Sequence, residues 1–162
     1  MVITQGKLYF VLDAFFKKVN DPFLKINYDE TKRPHYLAVK DSATKLYWLV
    51  PCSSRIEKFE TIIHTRRANG KPTDGIRIVI IQDNKTALLF QDMFPLAERY
   101  IEAPYIRGGQ EVRIADPKVI ADLEKNAKKV LSLLRHGVRF TPTQPDVFNI
   151  ETLMLSELKN IK

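Results

Sequence analysis

Residues 117–136 constrain the fold of this chain more than any other stretch. Asp116 stands where a helix cap is needed, Pro117 takes the first helical position, and Gly137 follows the last turn. These are the start and stop signals of an α-helix. Between them Ile120, Leu123, Ala127, Val130, Leu131 and Leu134 fall on one face, while Lys118, Lys125, Lys128, Lys129 and Arg135 lie mostly away from it. A two-faced helix needs an apolar surface to cover. The rest of the sequence supplies one as short strands broken by turns. The reading is a single α+β domain over residues 1–162, with a curved, mostly antiparallel sheet and helices packed against it.

The strands are legible as aromatic and β-branched runs. "KLYFVLD" (7–13) is the first, and "AFFKKV" (14–19) supplies one or two helical turns. Residues 20–34 are polar, hold two prolines and read as a long irregular loop, a length that in small domains often serves function. "HYLAVK" (35–40) and "KLYWLV" (45–50), joined by "DSAT", make a hairpin. Residues 53–70 read as a helix, with Ser54 and Glu57 in capping-box spacing and Asn69-Gly70 as the stop. A second hairpin joins "GIRIVII" to "TALLFQD" around "QDNK", and Gly108-Gly109 turns between two short strands. Residues 138–148 read as extended, and 150–159 as a short closing helix.

Composition narrows the partners. Lys and Arg number 26 against 19 Asp and Glu, a net charge of +7. That excess favours polyanions, nucleic acid first and an anionic membrane surface second. The apolar runs are too short to span a bilayer, and neither basic helix shows the exposed Trp or Leu of a membrane-surface helix, so no membrane partner is expected. The N-terminus lacks a secretory signal. Cys52 is the only cysteine, which fits a reducing cytoplasm. The three histidines and one cysteine are scattered without ligand spacing, so no metal and no other cofactor is expected.

One set of residues carries chemistry. Ser53 and Ser54 stand where a strand turns into a helix, where exposed N–H groups and the helix dipole attract phosphate. Arg55 or Lys58 in the first turn could neutralise its charge. The plainer role for Ser54 is a helix cap, and the two roles are compatible. His35 begins the neighbouring strand, and the hairpin brings it near Pro51 to Ser53. It is either a general acid or base or a structural strand histidine. Hydroxyls, cations and a histidine without a metal suit RNA cleavage through the substrate's own 2′-hydroxyl.

The segments "NDPFLK", "RPHYLAVKD", "YWLVPCSSRIEKF", "LFQDMFPLAERYI" and "KKVLSLLRHGVRFTPTQPDV", in this order, resemble the toxins of type III toxin–antitoxin systems, in the CptN-like branch related to ToxN and AbiQ. The resemblance covers nearly the whole chain. It implies a sequence-specific endoribonuclease on a compact barrel-like sheet, distantly similar to the MazF and Kid toxins, that leaves 2′,3′-cyclic phosphate ends. It also implies inhibition by a repetitive RNA antitoxin, folded as a pseudoknot and trimmed by the toxin itself, in a closed toxin–RNA assembly. Cellular RNA is the implied substrate, phage defence the implied setting, and DNA is not a partner. The family's strand-end proline followed by two hydroxyl residues matches Pro51, then Ser53 and Ser54. The next basic residue matches Arg55 or Lys58. A lysine of the ToxN branch stands where His35 stands here, and a tyrosine of that branch aligns with Phe15, which has no hydroxyl.

On this reading His35, Ser53, Ser54, Arg55 and Lys58 are the catalytic group. Lys25, Lys32, Arg33, Arg66, Arg67, Lys118, Lys125, Lys129 and Arg135 follow the RNA backbone. Tyr36, Tyr47 or Trp48 stacks on a base; Tyr47 and Trp48 alternate across their strand, so one points outward and the other belongs to the core. A non-catalytic RNA-binding module is the alternative, separated by whether Ser53, Ser54 and His35 converge on one phosphate and whether single-stranded RNA is cut.

Overall fold

The computed structural model describes residues 1–27 and 31–160, so part of the 20–34 loop lies outside the described residues. In chain order the elements are β1 (Leu8–Val11), α1 (Asp13–Val19), β2 (His35–Lys40), β3 (Tyr47–Ser53), α2 (Ile56–Ala68), β4 (Arg77–Ile81), β5 (Asn84–Leu88), β6 (Phe94–Leu96), β7 (Ile101–Pro104), β8 (Ile106–Arg107), β9 (Gln110–Glu111), α3 (Pro117–Arg135) and α4 (Val147–Asn160). Seven strands form one sheet in the order β4-β5-β3-β2-β1-β7, with β6 also on β3, and β8–β9 form a separate two-stranded ribbon. Every pairing is antiparallel. Register shifts between Phe10 and Val11 and between Leu37 and Val39 mark irregularities of the kind that bend a sheet. The class is the expected α+β with a curved antiparallel sheet. The sheet is open, with β4 and β7 at its ends.

The central strands are covered on both faces, because alternate side chains feed two separate cores. Tyr36 and Ala38 of β2 join Trp48, Val50 and Cys52 of β3 against Leu123, Ala127, Val130 and Leu134 of α3. Leu37 and Leu49 point the other way, into Phe15, Phe16, Phe94, Ile150 and Met154. The helix stripe read from the sequence is thus the face that lies on the sheet. Asp116 caps α3 by accepting from the Lys118 N–H at 2.9 Å, and Gly137 follows at φ +86°. The β4–β5 turn places Gln82 and Asp83 at φ 49° and 66°, the two left-handed residues of a tight hairpin. No described helix is long and apolar enough to cross a membrane.

Two sequence expectations are corrected. Ser54 does not cap α2. Strand β3 runs on to Ser53, so α2 begins only at Ile56, and Arg55 at its cap position gives no side-chain bond. Instead Ser53 Oγ accepts from the Arg55 N–H at 3.2 Å. His35 is the second correction. It pairs with Pro51, as the hairpin dictates, but its ring is 0% exposed. It meets Phe94 edge-on at 5.3 Å and Phe16 at 6.1 Å. Neither ring nitrogen has a partner at hydrogen-bond geometry among the described residues.

Burial, aided by the nearby Arg33 charge, lowers the His35 pKa to about 3, and backbone groups of Arg33 and Tyr9 offset this only in part. The folded protein therefore refuses a proton that the unfolded chain accepts near pH 6.5, and stability falls as pH drops from there toward 3. Buried Asp92 works in the opposite sense. Desolvation raises its pKa to about 6, so its folded form gains as pH falls from 6 toward the ordinary carboxylate range. The two slopes nearly cancel in that shared window. Comparing His35→Leu with the parent isolates the histidine. The stability difference should shift in the variant's favour by up to about 1.4 kcal/mol per pH unit below pH 6.5, read from denaturant melts at pH 7, 6 and 5. Parallel pH curves for the two proteins would contradict it.

Candidate functional site

Past the His35–Pro51 pair, β3 continues for two residues that pair instead with β5, Cys52 opposite Leu88 and Ser53 opposite Ala87. The apolar run ends there, leaving Ser53 half-buried and Ser54 exposed. A cleft of about 270 Å³ opens at this point. One wall is Cys52, Ser53 and Ser54 with Arg33 and Pro34. The second is Asn84, Lys85 and Thr86 of β5. The third is Leu8, Tyr105, Arg107 and Val112, around the β8–β9 ribbon.

Each wall is fastened by its own bonds. Arg33 Nη1 donates to the Cys52 carbonyl at 2.9 Å, tying the segment before β2 to the end of β3. Arg107 Nη2 donates to the Ile81 carbonyl at 3.0 Å, and Gln82 Nε2 to the Glu111 carbonyl at 2.9 Å. These two bonds hold the ribbon against the β4–β5 turn. Lys7 pairs with Glu111 at 2.5 Å on the outside. Three cations, Arg33, Lys85 and Arg107, line the cleft with four hydroxyls, Ser53, Ser54, Thr86 and Tyr105, and among the described residues no carboxylate does. Glu60 of α2 stands 3.9 Å from Lys85. The Cys52 thiol is no nucleophile, since burial pushes its pKa up to about 12. Among the described residues, no group of three or more His, Cys, Asp or Glu is gathered that could hold a metal.

The structure therefore brings Ser53, Ser54 and Arg33 together and leaves His35 out. Arg55 and Lys58 are exposed but do not line the cleft, and the Lys58 ammonium lies 5.3 Å from the Phe59 ring. Tyr36 and Trp48, 0% and 2% exposed, are core residues with no face to offer a base. Tyr47 sits at the opposite end of β3 under the Lys40 ammonium at 5.7 Å. Arg66 is committed to the fold, donating to the Pro72 and Phe140 carbonyls. Lys32 pairs with Glu102, Lys129 with Asp74 at 3.2 Å and Arg135 with Glu151 at 3.0 Å. Lys25 is half-buried, and Arg67, Lys118 and Lys125 are exposed. Lys118, Lys125 and Lys129, at i, i+7 and i+11, share one face of α3. Lys85, Tyr105 and Arg107 were not anticipated. The available signal was Tyr105 and Arg107 two residues apart beside the Gly108-Gly109 turn.

Fold and cleft together define a class: a small basic α+β protein with a cationic, hydroxyl-lined cleft at one end of a curved sheet. No protein-family model matches the sequence, and no curated sequence matches it. Solved structures do share the fold. AbiQ, a lactococcal anti-phage endoribonuclease of the type III toxin–antitoxin system, aligns with a TM-score of 0.73 at 12% identity, covering 96% of this chain and 99% of that one. A chain from a bacterial type III system in which a non-coding RNA pseudoknot selectively inhibits the toxin aligns at TM-score 0.63 and 17% identity, over 96% and 99% of the two chains. A third, from a bacterial antiviral system regulated by a processed non-coding RNA, aligns at 0.62 and 11%, over 90% and 95%. At these identities the likeness is one of fold, and it runs nearly end to end.

The two serines should separate in stability. Ser53→Ala removes the acceptor for the Arg55 N–H and should cost about 0.5–1 kcal/mol. Ser54→Ala, which caps nothing, should leave the melting midpoint unchanged. Denaturant titration of both variants checks this, and a cost confined to Ser54→Ala would restore the capping role.

Proposed function

We propose that this protein is a type III toxin of the ToxN and AbiQ family, an endoribonuclease that cuts single-stranded RNA in the cleft and is silenced by a folded RNA antitoxin. The observation that carries this reading is the gathering of three cations and four hydroxyls in one cleft, in a chain that shares its fold with AbiQ over almost its whole length. The scissile phosphate lies between Ser53 and Ser54 on one side and Lys85 on the other. Arg33, Lys85 and Arg107 offset the charge that develops on phosphorus as the 2′-hydroxyl attacks. The serine hydroxyls donate to the non-bridging oxygens. The 2′-hydroxyl gives up its proton to solvent in the open cleft as it attacks. Lys85, the one ammonium among the described lining residues, hands a proton to the leaving 5′ oxygen and regains one from solvent. The products are a 2′,3′-cyclic phosphate and a 5′-hydroxyl. The nucleophile belongs to the substrate, so this route asks for no metal.

The antitoxin follows from the same electrostatics. A pseudoknotted RNA repeat, trimmed by the toxin, covers the cleft and runs its phosphates along Lys118, Lys125 and Lys129 of α3 and along Arg67 of α2. Because those faces are separate, one RNA reaches two toxin copies, and a closed toxin–RNA assembly in the cytoplasm results. A non-catalytic RNA-binding module would share the charge but has no use for hydroxyls gathered with cations in one cleft.

Incubation with single-stranded RNA in excess EDTA should give cut RNA with cyclic phosphate ends. Ser53→Ala should slow the cut by about 10²–10³-fold while RNA is still bound. His35→Leu should cut within a few-fold of the parent. Cutting abolished by EDTA and restored by magnesium would sink the mechanism. Binding without any cutting would favour the RNA-binding module. Lys85→Gln should lower the slope of log affinity against log salt by about one, as expected when one phosphate contact is lost.

A further inference from the structure

The third wall of the cleft is chemically unlike the other two. It presents an aromatic ring, Tyr105, with Leu8 and Val112 beside it. The ring is half-buried. Its backbone is locked on both sides, the Tyr105 N–H donating to the Leu8 carbonyl at 2.8 Å and the Tyr105 carbonyl accepting from the Val112 N–H at 2.9 Å. Phe10 supports it with ring centroids 5.4 Å apart and a 55° tilt. The Arg107 guanidinium lies 6.0 Å from the ring centroid and is itself held by the Ile81 carbonyl.

We propose that Tyr105, supported by Phe10 and flanked by Arg107, is the platform on which the nucleobase next to the scissile phosphate stacks, and that it helps select where the RNA is cut. The inference rests on the RNA-cleavage reading of the same cleft. A phosphate held beside Ser53 and Lys85 places its neighbouring sugar and base across the cleft, toward the wall that carries the π face. Every base has a π face, so an aromatic platform tolerates sequence, but purines cover more of it. Arg107 adds a cation at the ring edge that can also meet the flanking phosphate. The aromatics named from the sequence cannot do this, since Tyr36 and Trp48 are buried and Tyr47 lies at the far end of β3.

The test uses a short single-stranded RNA spanning a mapped cut site, made non-cleavable by a 2′-deoxy sugar there, beside the same strand lacking the adjoining base. Affinities are measured for the parent, Tyr105→Phe, Tyr105→Leu and Tyr105→Ala. Tyr105→Leu keeps apolar bulk against Phe10 without a π face, so it remains informative should the alanine variant fail to fold. Tyr105→Leu and Tyr105→Ala should weaken the base-bearing strand by about 5- to 150-fold, the range that stacking on one ring provides. They should leave the abasic strand unchanged, and Tyr105→Phe should bind as the parent does. The loss should persist as salt rises, and cleavable RNA should be cut at more scattered sites. Equal loss on both strands, or none on either, would overturn the platform while Ser53-dependent cleavage stands. A parent protein that neither binds nor cuts RNA would overturn both readings.

Discussion

Strand β3 is bonded along both edges and covered on both faces, and everything else is arranged around that. Its outer edge is divided. The first half pairs with β6, Leu49 opposite Phe94, and the last two residues pair with β5. The segment between β5 and β6 crosses from one arrangement to the other beside β3, with the Leu89 N–H on the Pro51 carbonyl at 3.0 Å. That crossing buries Gln91 and Asp92, and the Gln91 backbone is satisfied by Gly75 and by the Gln144 side chain. A strand so enclosed has to be apolar until the point where it leaves the core. The change from Val50-Pro51-Cys52 to Ser53-Ser54 marks that point, and the cleft lies there.

Charge is distributed by the same logic. Many of the cations are paired at the periphery, where exposed ion pairs contribute little. One partner is different: Glu157 of α4 is buried and accepts from Lys18, Arg99 and Tyr100. Burial alone would raise its pKa, but the bonds from these three residues outweigh it and hold the carboxyl low. This clamp locks α4 to α1 and to the turn before β7. Among the described residues no carboxylate lines the cleft itself, and Glu60 reaches its Lys85 only from α2, at 3.9 Å.

Much of this was legible in the sequence because the controlling signals are local. The Asp116-Pro117 start, the Gly137 stop and the apolar spacing of α3 reappear as read, and so does the register of the β2–β3 hairpin. The failures have equally physical causes. His35 does lie opposite Pro51, but alternation along a strand decides which face a side chain takes, and its face is filled by Phe16 and Phe94. Tyr36 reads from the sequence as a stacking surface, and the choice between Tyr47 and Trp48 as the outward ring stays open there, because α3, which covers Tyr36 and Trp48, comes some seventy residues or more later in the chain. The cap on α2 was misplaced because β3 kept its pairing with β5 for two residues more than the local pattern implied. The third wall of the cleft was invisible because nothing near residue 53 announces that residues 105–112 return to it.

That return has a consequence during synthesis. The cleft takes Leu8 from the first strand, serines from the third, Lys85 from the fifth, and Tyr105 and Val112 from the ribbon. The sheet face beneath it is then sealed by α3, which begins at Pro117. A nascent chain emerging from a ribosome therefore carries serines and arginines long before it carries a cleft. The final wall arrives only with residues 105–112, so the cleft takes shape late, long after Ser53 and Ser54 have been made.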